Sequence, residues 1–71
     1  MTLTIEFERE TDGRWIAEVQ ELAGVMVYGV TQAEAMAHAQ ALALEVLADQ
    51  IEHNERDAAT LLKIEFVERA A

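Results

Sequence analysis

Apolar and polar residues alternate near both ends of this chain and recur at helical spacing between them. Leu3, Ile5 and Phe7 alternate with Thr2, Thr4, Glu6, Glu8 and Glu10, the pattern of a half-buried strand. The alternation resumes after Thr11-Asp12-Gly13. Trp15, Ala17 and Val19 share one parity, and Arg14, Ile16, Glu18 and Gln20 the other. The period of two also fixes the loop length. A two-residue Asp12-Gly13 loop would set Phe7 across from Glu18 and put a carboxylate on the apolar face. A three-residue Thr11-Asp12-Gly13 loop with a bulge pairs Phe7 with Ala17 and Ile5 with Val19. It also gives Gly13 the left-handed position that closes such a hairpin. On the outer face this register sets Glu10 opposite Arg14, Glu8 opposite Ile16, and Glu6 opposite Glu18.

Glu21 to Gly24 is a connection, and Val25 to Gly29 a short third strand, apolar on both faces, so periodicity does not choose its inward side. Thr31-Gln32-Ala33-Glu34 has the form of a capping box, with Thr31 as N-cap and Glu34 returning to its amide. Val30 is placed to staple against Ala35. Good helix formers then run to about His53. Projection at about 100° per residue gathers Glu34, His38, Glu45, Asp49 and Glu52 on one face. Met36, Ala39, Ala43, Val46 and Leu47 lie opposite, toward the core. Leu44 and Ile51 sit at a margin, and Leu42 falls among the acids. Asn54 to Asp57 is a polar connection. Leu62, Ile64 and Phe66 alternate with Lys63 and Glu65 as a last strand, and Glu68 to Ala71 is expected to fray. A right-handed crossover through the helix lays the fourth strand parallel to the first, in the order 3-2-1-4. The expected fold is α+β: one domain over residues 1–71, with a mixed four-stranded sheet and one long helix on one face.

Composition narrows the chemistry. The 71 residues carry 14 Asp and Glu against 5 Lys and Arg, a formal charge of −9, with no cysteine and no proline. Chains this short often gain stability from disulfides, metals or self-association, and the lack of cysteine excludes disulfides and thiolate-ligated metals, so association is the expected staple. The two edges of the sheet and its uncovered face make a homodimer or higher homo-oligomer the expectation. The charge argues against direct nucleic-acid binding, which needs a basic surface, and for a basic protein partner. Met1 to Glu10 has no basic head before an apolar run. The apolar stretch from Ala33 to Ala48 is broken by Glu34, His38, Gln40 and Glu45. Neither a signal peptide nor a membrane span is expected, and the expected location is cytoplasmic.

One ordered set of residues resembles a known family. Asp12-Gly13-Arg14-Trp15-Ile16-Ala17-Glu18-Val19, then Glu21-Leu22-Ala23-Gly24, then Gly29-Val30-Thr31 with Glu34-Ala35 and a helical Ala39 to Leu44, is similar to the HicB antitoxins. The likeness runs from about Ile5 to Leu47. It implies a partial ribonuclease-H-like fold and a binding function, the neutralising of a small basic RNA-cleaving, HicA-like toxin. Gln20 and Ala23 stand where the family has prolines, which leaves the connection less rigid. Many members also carry a DNA-binding segment after this domain. The chain has neither the length nor the basic charge for one, so operator binding is not carried over.

Catalysis has little to stand on. A two-metal nuclease needs clustered carboxylates, and Glu6 with Glu18 is the only sheet pair that offers them. His38 near Glu34, and His53 after Glu52, supply two ligands each, short of a closed zinc site. There is no serine or cysteine nucleophile and no phosphate-cradling glycine loop. No cofactor or metal is expected, nor enzymatic activity. The residues expected to meet a partner are Glu6, Glu8, Ile16 and Glu18 on the outer sheet face, and Leu42, Glu45 and Asp49 on the helix. Trp15 is expected in the core by parity. An orphan oligomeric domain with another partner or a structural role is the alternative to an antitoxin, and a metal-dependent nuclease the distant one.

Overall fold

The computed structural model describes residues 1–70. Strand β1 (Thr2–Arg9) is followed by β2 (Trp15–Val19), β3 (Met26–Gly29), helix α1 (Gln32–Glu52), a short 3-10 turn (Ala58–Leu61) and β4 (Glu65–Ala70). The sheet order is β3-β2-β1-β4, with β4 parallel to β1 and the other pairs antiparallel. The fold is α+β, a mixed four-stranded sheet with one long helix.

The first hairpin has the register its parity predicts. Ile5 pairs with Val19, Glu6 with Glu18, Phe7 with Ala17 and Glu8 with Ile16. Glu10 N–H donates to Arg14 O at 2.7 Å, and Gly13 takes φ +92°. On β3 the structure chooses the side that periodicity left open. Val25 is buried and Val27 half-buried, while Met26 and Tyr28 face out.

The helix is capped as expected at one bond and differently at the other. Thr31 Oγ1 accepts from Glu34 N–H at 3.1 Å. Glu34 reaches back one residue further than a capping box requires, accepting from Val30 N–H at 3.3 Å. The expected staple does not form, because Ala35 points into the sheet while Val30 stays 73 % exposed. The reason lies at Gly29, where a Cβ would stand 2.4 Å from Ala35 N. Strand end and helix start touch backbone to backbone, which leaves no room for a side chain between them.

Four residues one turn apart, Ala35, Ala39, Ala43 and Leu47, are the buried face of α1. They draw it onto β2 and β3, and it barely reaches β1. Three are alanines, so the close approach follows from the absence of bulk. Ala35 was not among the expected core residues. Met36 and Val46, which were, pack half-buried at the flanks. Leu42, expected among the acids on the polar side, is half-buried against the core. Its side chain flanks the narrow alanine stripe.

The last strand departs most from expectation. It begins three residues late, at Glu65, and runs through Ala70. Leu62 is 88 % exposed because it ends the 3-10 turn. The segment expected to fray is instead paired along β1: Ile5 with Glu68, Glu6 with Arg69, Phe7 with Ala70. Ala71 lies outside the described residues.

Candidate protein-interaction face

The sheet has a helix on one face only. On the other, the observed registers build short rows of side chains. Tyr28, Ile16 and Glu8 form one row. Met26, Glu18, Glu6 and Arg69 form the next. Ile16 is half-buried, with Tyr28 42 % and Met26 51 % exposed beside it. The result is an apolar centre bordered by carboxylates, on a face with no covering element among the described residues.

Charge on this face is partly spoken for. Arg69 donates from both Nε and Nη2 to the Glu6 carboxylate, which is the less exposed member of the pair. Glu8 and Glu18 are exposed and form no ion pair with a described residue. At the hairpin end, the Arg14 guanidinium lies 4.8 Å from the Tyr28 ring centroid and 2.9 Å from Asp12 Oδ2. Asp12 also accepts from Arg14 N–H at 3.0 Å, and that backbone bond is the largest cause holding its carboxyl below the ordinary value.

Glu21, expected only as part of a connection, clamps the end of the β1–β2 ladder. Its carboxylate accepts from Thr4 N–H at 2.7 Å and from Thr4 Oγ1 at 2.8 Å. Desolvation pushes this carboxyl up, and the two Thr4 bonds outweigh it, so the group sits below 4.5.

The helix acids are distributed differently. Glu34, Glu45, Asp49 and Glu52 are all exposed. Glu34 is occupied at the cap, and Asp49 meets His53 Nδ1 through its backbone carbonyl at 2.8 Å and Oδ1 at 3.3 Å. His38 Nδ1 lies 2.9 Å from Tyr28 O, holding a carbonyl at the sheet edge. Leu42 is half-buried against the core. Leu44, 47 % exposed, is the one large apolar side chain exposed on this helix among the described residues, against the cluster of Ile16, Tyr28 and Met26 on the sheet.

Glu6 and Glu18 do pair across the ladder, but among the described residues no three His, Cys, Asp or Glu side chains converge. Trp15, placed in the core by parity, is half-buried with Arg9 5.8 Å from its ring centroid. Beside it opens a shallow groove of about 420 Å³ lined by Phe7, Trp15, Gln32, Glu68, Arg69 and Ala70. Glu68 and Arg69 escaped the sequence because the strand was expected to end before them. Continuing its parity past Phe66 would have put Arg69 on the glutamate face. No described helix is long and apolar enough to cross a membrane. Comparison with family models, curated proteins and solved structures finds no match, so the case for this face rests on the chain's own residues.

Proposed function

We propose that the chain is an antitoxin-like binding domain that covers the RNA-gripping surface of a small basic RNA-cleaving, HicA-like toxin. It acts by binding, not by catalysis, and the outer sheet face makes the contact. The observation that carries this is the register that sets Glu8 and Glu18 around Ile16, with Tyr28 and Met26 alongside. A toxin that cleaves RNA presents cations where it holds phosphates. Carboxylates facing those cations compete with RNA and speed encounter. The apolar centre then sets how long the complex lasts. Glu45 and Asp49 have a lone exposed Leu44 on their helix in place of such a centre and serve here as steering charge only.

The test is association kinetics with any small basic protein encoded beside this chain. Glu8→Lys with Glu18→Lys is expected to lower the on-rate at least about tenfold at low salt, with the loss shrinking as salt screens the charges. Glu45→Lys with Asp49→Lys is expected to change it less than about threefold. No binding by a basic partner, or equal rates in both variants, would overturn the assignment and leave the orphan-domain alternative.

A further inference from the structure

The two edges of the sheet are not alike. β4 is guarded: Glu68 shares the helix-side parity of Phe66, an inward-pointing charge of the kind that deters strand addition, and Glu65 and Arg69 add charge outside. β3 carries no charge from Val25 to Val30. Val19 N–H donates to Val25 O, so in this ladder Val25, Val27 and Gly29 turn their backbone groups to β2. Met26 and Tyr28 turn theirs outward. Of the five most exposed large hydrophobics among the described residues, Met26, Tyr28 and Val30 all lie on or beside this edge.

We propose that two copies of this chain pair antiparallel through β3, about a two-fold axis at Val27, to give one eight-stranded sheet. Met26 of each copy then exchanges backbone hydrogen bonds with Tyr28 of the other. The Tyr28 carbonyl already held by His38 has a second lone pair for this.

The helices fit this arrangement. Because α1 packs on β2 and β3 and barely on β1, it lies over the β3 side of the sheet. Across the new pair the two helices lie on the same face as neighbours, in the arrangement of packed helices. Tyr28 is level with His38 through their contact, and one strand residue spans about two helical residues of rise. Val27 is thus level with about Gln40, and His38 of one copy meets Leu42 of the other across the axis. The dimer covers Leu42, joins the two outer faces into one surface, and leaves both β4 edges free. Each copy brings a charge of −9, so the pairing is opposed at low salt and favoured at high salt.

Sedimentation of the intact chain at about 50 µM, a concentration suited to a modest dimer affinity, decides the stoichiometry. A dimer is expected, with a dissociation constant that falls at least about tenfold from about 0.1 M to about 1 M salt, as the screening length drops from about 10 Å to about 3 Å. Cross-linking decides the edge. Val27→Cys faces itself in a non-hydrogen-bonded pair about 4.5 Å apart at Cα, within disulfide reach, in a chain with no other cysteine. It is expected to oxidise to a covalent dimer, while Val67→Cys on β4 stays monomeric on a denaturing gel. Met26→Lys with Tyr28→Lys, both at exposed positions, is expected to weaken the dimer at least about tenfold with the circular dichroism unchanged. A monomer at high salt would overturn the proposal. So would a dimer that cross-links through Val67→Cys and not through Val27→Cys.

Discussion

Gly29 is required by space, not by backbone angle. A Cβ there would meet Ala35 N at 2.4 Å and Ala35 Cα at 2.9 Å, and backbone cannot rotate aside. Gly29→Ala must push the helix off the sheet, and a loss of about 2–3 kcal/mol is expected in urea unfolding. Glu21 carries an acid response through its Thr4 bonds. Its folded pKa is lowered, so its stabilisation is complete above the unfolded value and disappears as pH falls through the folded one. The Thr4 clamp is solvent-exposed, and about 1 kcal/mol is expected from it at neutral pH. Glu21→Gln should remove that share of the pH dependence below about pH 5, read from urea midpoints across the acid range. A parallel acid profile in the variant would show that other carboxylates account for it.

At the scale of the element, α1 is fixed by its cap and by its alanines. Thr31→Ala removes the acceptor for Glu34 N–H and should cost about 1 kcal/mol. Thr31→Asp, which restores an acceptor near the positive end of the helix, should recover most of it. The buried face tolerates no bulk. Ala39 is 0 % exposed between the helix and the β2–β3 hairpin. Ala39→Leu is expected to destabilise by about 1–3 kcal/mol, although leucine is a good helix former. Thermal unfolding separates the two effects: if propensity outweighed packing, the variant would melt higher.

The whole molecule is a small core under a large negative charge. Among the described residues eleven hydrophobics are buried, four of them alanine, while the chain carries −9. Few cations offset the acids, and one of the pairings that do, Arg69 with Glu6, ties β4 to β1. Self-repulsion should therefore be a visible part of stability. At about 1 µM protein, where mass action contributes little, raising sodium chloride from about 0.1 M to about 1 M should stabilise the monomer by roughly 0.5–1 kcal/mol, or about 3–6 °C in Tm. A flat or falling Tm would show that the acids are spaced widely enough not to interact. In the assemblies proposed above, the same charge would speed encounter with a basic partner and make self-pairing salt-dependent.

The sequence by itself determined whatever depends on neighbours a few residues apart. Parity alone specified the β1–β2 register, because a slip of one residue would turn Phe7 toward a glutamate. Thr31 and Glu34 marked the helix start, because capping is a local bond. The strand order followed from chirality. Tertiary structure decided the rest, and for one physical reason: those choices depend on which surfaces meet. The helix could have buried any side of a broad apolar stripe, and the alanines that let it close on Gly29 selected the side that hides Ala35 and draws Leu42 inward. The end of β4 has no local signal that separates it from a frayed tail; pairing with β1 made it a strand. The candidate interaction face divides in the same way. Glu6, Glu8, Ile16 and Glu18 were legible from their alternation. The placing of Tyr28, Met26 and Arg69 beside them had to wait for strands that contact one another only in the folded chain.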